Sequence, residues 1–263
     1  VGSSPDITDW VEAEEKIVRI NSQLEEALTE RDKFFSIIAH DLKSPFIGFL
    51  SFIRLMDEKI EKFSLEEIQN LSLQMKHSAE NLYSLLENLL EWSVLKRDAA
   101  EYDPVMCCLS EVVKENIQLI HFCAANKNIV FENKIPEGLD VFADKSMLKL
   151  VFRNLFSNAV KFSPEERRVV VSAAREGCNI RISVADEGVG MDRDALDKLF
   201  LPHEMSSRKG TCGEKGTGLG LLLCKEYIAK QRGEICAEST PGKGTIFHFT
   251  LPAGSKDDPD SST

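Results

Sequence analysis

Residues Phe35 to Met56 read "FSIIAHDLKSPFIGFLSFIRLM", and their apolar spacing decides how the first part of the chain folds. Phe35, Ile38, Leu42, Pro45, Phe49, Phe52 and Met56 follow one another by steps of three and four. That alternation is a heptad seam, the signature of a helix packed along one stripe. A second seam follows: Ile68, Leu71, Met75, Ser78, Leu82, Leu85, Leu89 and Trp92. Between them "KIEKFSLEE" leaves room for a short connection only. Ser64 reads as an N-cap, with Glu67 three residues on completing a capping box. Two long helices joined so tightly predict an antiparallel hairpin. A lone hairpin would expose much of its apolar face, so a homodimeric four-helix bundle is expected.

Upstream, Ile17, Ile20, Leu24, Ala27 and Arg31 keep heptad spacing, and the step on to Phe35 is a second consecutive four. This is a stutter, which locally unwinds a coiled coil. A helical input segment would meet the bundle at that point.

Beyond Asp103 and Pro104 the character changes. The first hundred residues hold only two glycines, and the remaining thirteen lie in this second part. Helical stretches are expected over 109–125, 145–161 and from Leu219. The runs "NIVFENKI", "RVVVSAAR", "NIRISVAD", "GEICAES" and "GTIFHFTLP" read as strands. Strands mixed with helices and closed by a hairpin predict a two-layer α/β sandwich.

The totals exclude several functions. With 43 acidic and 32 basic residues among 263, the formal net charge is -11, which disfavours nucleic acid as a main partner. No apolar run is long enough to cross a bilayer, and the opening residues do not form a signal peptide, so a soluble, cytoplasmic segment is expected, whether from a soluble or a membrane-anchored protein. The seven cysteines include no C-x-x-C pair, which points to reduced thiols rather than zinc or redox chemistry. The end "GSKDDPDSST" reads as a disordered tail, over 254–263.

His40 falls on the polar face of its helix with Lys33, Ser36, Lys43, Ser44, Ser51 and Arg54. It is therefore expected outside the core. A metal site would want another ligand three or four residues on, where Lys43 and Ser44 stand. A plain surface histidine and a nucleophile remain. Asp41 is placed to hold a proton on one ring nitrogen, leaving the other free to attack. Pro45, inside a helix, removes a hydrogen bond at a cost of roughly 3 kcal/mol. Such a local violation suits a working site.

Three stretches in the second part carry chemistry together. In "NLFSNAVKFS", Asn154 and Asn158 share a helix face, and Lys161 lies three residues further. An amide oxygen can ligate Mg2+, and a lysine can meet phosphate. In "DEGVGM", Asp186 ends a strand, and Gly188 and Gly190 let a flat ring approach the backbone. A buried carboxylate there could accept from the exocyclic amino group of adenine. In "GEKGTGLGL", glycines precede a helix whose first N–H groups can hold phosphate. Neither a Rossmann fingerprint nor a P-loop is present.

In this order the stretches resemble the boxes of a sensor histidine kinase of bacterial two-component systems, of the HisKA type. "FFSIIAHDLKSP" matches the H box, "NLFSNAVKFS" the N box, "DEGVGM" and "GTGLGL" the glycine boxes, and "PGKGTIFHF" the terminal hairpin. The resemblance implies a dimerization and histidine-phosphotransfer domain over 32–98. It implies a catalytic ATP-binding domain of the gyrase/Hsp90/histidine kinase/MutL type over 104–253. Residues 1–31 would be a coiled-coil linker after an absent PAS-like sensor domain, because "DITDWVEAEEKI" is similar to the exit of one.

Carried over residue by residue, His40 becomes the phospho-acceptor and Asp41 its general base. Asn158 ligates Mg2+ with support from Asn154. Lys161 meets phosphate, and Phe162 lies near the nucleotide. Asp186 reads the adenine, in a pocket formed by Gly188 and Gly190. Gly216, Thr217, Gly218, Leu219 and Gly220 belong to the phosphate side of the ATP site. Residues 202–215 would be the mobile ATP lid, with Arg208, Lys209 and Lys215 as its cations. The implied activity is autophosphorylation of His40 by Mg2+-ATP and transfer to an aspartate of a response regulator. Phosphatase activity is possible through Ser44, which stands where the family favours Thr or Asn. The F box also departs, since His203 replaces the second aromatic after Phe200. An ATPase of this nucleotide fold using water as acceptor, or a scaffold binding no nucleotide, would be the rival functions.

Overall fold

The computed structural model describes residues 7–59, 63–96, 102–201, 210–212 and 218–254; the side chains of some residues inside the first two helices lie outside that description. Two compact units divide between Ala79 and Glu80.

The first unit is built from α1 (Ile7–Lys59) and the start of α2 (Leu65–Lys96). α1 is continuous through Pro45. The capping box at the start of α2 is formed: Glu67 Oε2 accepts from the Ser64 backbone N–H at 2.8 Å, and Ser64 Oγ accepts from the Glu67 N–H at 3.3 Å. The Ser64 backbone N–H, with the Ser64 hydroxyl donating to Glu67 Oε2 at 2.9 Å, holds the Glu67 carboxyl below its usual range. Half-burial falls on seam positions, with Leu42, Pro45, Phe49, Phe52 and Met56 on α1 and Ile68, Leu71, Met75 and Ser78 on α2. Beside the seam, Phe46, Ile47, Leu50 and Leu73 stay exposed.

In the second unit a five-stranded sheet runs in the order β2-β4-β5-β7-β6: β2 (Val130–Lys134), β4 (Arg168–Glu176), β5 (Asn179–Asp186), β7 (Gly244–Pro252) and β6 (Ile235–Thr240). Only the β2–β4 pair is parallel. On β5, Ile180, Ile182 and Val184 are buried while Arg181, Ser183 and Ala185 are half-exposed, the period-two pattern of a sheet with one covered face. The covering layer is α3 (Leu109–Ala125), α4 (Lys145–Phe162) and α6 (Leu219–Lys230), as a two-layer α/β sandwich requires. Phe152 of α4 meets Phe249 of β7 edge-on at 5.6 Å between ring centres, and Phe156 meets Phe131 at 5.1 Å.

A two-stranded ribbon, β1 (Val105–Cys108) against β3 (Asp140–Ala143), was not expected from the sequence. It leads into α4, whose N-cap Asp144 accepts from the N–H groups of Ser146 and Met147. A short helix, α5 (Arg193–Asp197), follows the glycines after β5. Phe200 packs against the core, so the first aromatic of the F box is anchored; His203 lies outside the described residues. The last turns of α2 also belong to this unit: Leu85 and Asn88 are buried, and Glu91 pairs with Arg153 of α4 at 2.9 Å.

Candidate nucleotide-binding site

The end of β5 delivers Asp186 into the fold, where its residue is only 9% exposed. Its Oδ1 accepts from the backbone N–H of Gly188 at 2.9 Å and of Thr245 at 3.1 Å. Its Oδ2 accepts no hydrogen bond among the described residues, so one carboxylate oxygen is fixed and the other remains open to a donor. Burial pushes the carboxyl up to about 6, against the pull of the two backbone N–H groups.

The glycines around it leave no room for side chains. A Cβ on Gly188 would lie 2.6 Å from Asp186 Oδ1 and 2.7 Å from the carbonyl of Phe162. Gly190 adopts φ +67°, and a Cβ there would collide with the Thr240 carbonyl. Three further bonds stitch this turn to the end of α4, to the β6–β7 turn and to β6. Val189 N–H donates to the Phe162 carbonyl, Gly242 N–H to the Val189 carbonyl, and Met191 N–H to Ser239 Oγ. Asp186, Gly188 and the end of α4 are thus brought together.

Asn154, Asn158, Lys161 and Phe162 lie on α4, all half-buried. Asn154 donates to the Leu150 carbonyl, and its Oδ1 lies where a Cβ on Gly220 would come within 2.6 Å. Gly220 therefore lets α6 approach α4, a packing role that the spacing alone did not reveal. Lys161 Nζ sits 4.7 Å from the centre of the Phe162 ring. Asn158 makes no side-chain hydrogen bond among the described residues, leaving a neutral oxygen donor of the kind a hard cation takes. Gly218 caps α6 in the left-handed conformation, with Leu219 as the first helical residue.

Arg208, Lys209, Lys215, Gly216 and Thr217 lie outside the described residues, as do the side chains of His40, Asp41 and Ser44; the backbones of the latter three are part of α1. Sequence reasoning had not singled out Thr245, Ser239 or Gly244. Ser239 Oγ lies 2.9 Å from Thr245 Oγ1 and donates to the Gly244 carbonyl at 3.0 Å. Gly244 adopts φ +96°, and a Cβ there would collide with the Asp186 carbonyl. The signal was the doubled glycine of "PGKGT".

Residues 143–255 match the family described as histidine kinase-, DNA gyrase B-, and HSP90-like ATPase. The match lies within the second unit and runs from the end of β3 past β7. The cell-division control histidine kinase PdhS of Brucella ovis is 27% identical over 258 residues, covering 94% of this chain and 25% of its own length. The chain thus spans about a quarter of the length of the curated relatives it matches. Full-length ShkA in complex with AMPPNP is 25% identical, with a TM-score of 0.59 over 87% of this chain and 47% of that one. Histidine kinase ThkA, in complex with the response regulator protein TrrA, shares the fold at 21% identity and a TM-score of 0.70, covering 97% of this chain and 70% of ThkA. The chain is thus similar to proteins named as histidine kinases, over a part of their length.

The second unit has a donor set that fits an adenine nucleotide. A buried carboxylate offers one unoccupied oxygen, glycines leave a flat approach, and a helix begins at Gly218. No group of three or more candidate metal ligands among His, Cys, Asp and Glu occurs among the described residues. No described helix is long and apolar enough to cross a membrane.

Proposed function

We propose that the chain is the catalytic portion of a sensor histidine kinase, transferring the γ-phosphoryl group of ATP to His40 and then to an aspartate of a response regulator. The observation that carries this reading is Asp186: a carboxylate held buried, with one oxygen fixed by two backbone N–H groups and the other open. An adenine amino group fits that oxygen, while the oxygen at the same position of guanine would repel it. Asn158 would hold Mg2+, supported by Asn154, and Lys161 with the lid cations Arg208, Lys209 and Lys215 would face the phosphates. The metal ion would neutralise charge on the transferring group; the protein contributes chiefly position and charge. Asp41 would take the proton from His40, and Ser44 would orient a water for phosphatase action on the regulator.

The apolar residues left beside the seams support a homodimer. Phe46 and Ile47 are 53% and 51% exposed, and a second copy would cover them in a four-helix bundle. Ile17, Ile20 and Leu24 are likewise exposed on α1, as a coiled-coil linker from a PAS-like domain would leave them in one copy. A cytoplasmic segment suits a protein whose substrate is ATP. Incubation with γ-labelled ATP and Mg2+ tests the reading. An acid-labile, alkali-stable label on the wild type and none on His40→Gln is expected. Release of free phosphate with no labelled protein would replace this reading by a water-using ATPase.

A further inference from the structure

The last turn of α4 carries Lys161 and Phe162, and what holds it lies outside the recognised boxes. Lys127, two residues past α3, is buried at 6% exposure. Its ammonium donates to the carbonyls of Val160 at 3.0 Å and Lys161 at 3.2 Å, and to Thr211 Oγ1 at 2.8 Å. A buried lysine is costly unless its charge is matched. Here it meets C-terminal carbonyls of a helix, the negative end of the dipole, which have no partners within the helix.

Thr211 closes the same knot from the other side. Its N–H donates to the Lys161 carbonyl at 3.0 Å, and its hydroxyl lies 2.9 Å from the Ser163 carbonyl. The Lys127 backbone is fixed as well, because its carbonyl accepts from the Glu166 N–H at 2.9 Å. The carbonyl between these contacts, that of Phe162, accepts from Val189 in the first glycine box. Three consecutive carbonyls, of Lys161, Phe162 and Ser163, are thus tied to segments far apart in the chain. Ser163 Oγ, fully buried, has no partner among the described residues, so the hydroxyl does not help hold this end.

We infer that Lys127 and Thr211 form a latch that positions the end of α4, and so sets Lys161 and Phe162 for the nucleotide. The inference rests on the ATP-binding reading above. Lys127 touches no substrate and acts through the helix end. The latch predicts an effect on nucleotide binding greater than on turnover. It also predicts that the two residues act as a unit.

The test is ATP affinity and phosphorylation kinetics for the wild type, Thr211→Val, Thr211→Ser, Lys127→Met and the double variant. Thr211 is exposed, so its substitution to Val leaves the fold in place, which thermal melting verifies. Loss of the hydroxyl should weaken ATP binding about 10- to 100-fold, as for a lost charge-assisted hydrogen bond, with kcat nearly unchanged. Thr211→Ser should restore it. The double variant should bind ATP no more weakly than Lys127→Met, since both changes open one knot. Wild-type affinity in Thr211→Val, or effects of the two changes that multiply, would overturn the latch while leaving the ATP-binding reading intact. A wild type that binds no ATP would overturn the reading and the latch with it.

Discussion

Replacing Asp186 by asparagine should stabilise this protein and spoil its nucleotide site. Burial raises the carboxyl from an ordinary 3.8 to about 6. Each tenfold change in proton affinity is worth about 1.4 kcal/mol. The ionised side chain therefore costs the folded state about 3 kcal/mol once the pH is well above 6. The sign follows from the direction: a carboxyl whose folded value is raised favours folding while neutral, and that advantage is lost as pH rises through about 6. Asparagine keeps an oxygen for the N–H groups of Gly188 and Thr245 and carries no charge. The stability gap between variant and wild type should open from about 0.6 kcal/mol at pH 4 to about 3 kcal/mol at pH 8. Urea titration of both proteins across that range, followed by circular dichroism, reads the gap directly. The other carboxyls titrate alike in both proteins and cancel. A gap that is the same at every pH would refute the argument, because a difference unrelated to charge has no reason to follow Asp186.

The same substitution turns an acceptor into a side chain whose free end can present N–H donors to the adenine amino group. Loss of a charge-assisted hydrogen bond predicts ATP binding weaker by about 10- to 100-fold at pH 8. In the wild type, affinity for adenine nucleotides should fall as the pH drops below about 6, where the carboxylate takes up a proton.

Two further outcomes are expected. Gly220→Ala would gain helix propensity of about 1 kcal/mol, yet its methyl must displace Asn154, so a net loss of stability is expected by urea titration; adding Asn154→Ala should recover it. Phe152→Ala removes a ring with no exposure that packs on Phe156 and Phe249, and should cost about 3–5 kcal/mol in the same titration.

What the sequence disclosed follows the range of the forces involved. β5 alternates strictly, and the helices from Leu109 and Lys145 begin where their periodicity places them, because such patterns are local. The β1–β3 ribbon escaped because each strand has four residues and the partners of Val105 and Cys107 are Ala143 and Val141, more than thirty positions away. At the site, Asp186 and its glycines were legible, since a strand ending in an acid beside two glycines is a local signal. Lys127 was not. At the end of an amphipathic helix it reads as an ordinary surface lysine, and only the arrival of the Val160 and Lys161 carbonyls and of Thr211 makes it an interior residue. Gly220 was legible as a glycine of the phosphate side, but its contact with Asn154 depends on two helices meeting.

The departures from ordinary design share an explanation. Asp186 carries a charge that its surroundings oppose. Lys127 buries an ammonium to secure a helix end that a surface residue or water would otherwise serve. Pro45 gives up a bond inside α1, five residues beyond His40. Stability alone would favour asparagine, an uncharged cap and alanine at these positions. The first two adjoin the Phe162–Gly188 junction, and the third follows the histidine assigned the phosphoryl group. A fold that only had to persist would have no reason to concentrate its costs there, whereas a protein that must present a purine cleft and a reactive imidazole would.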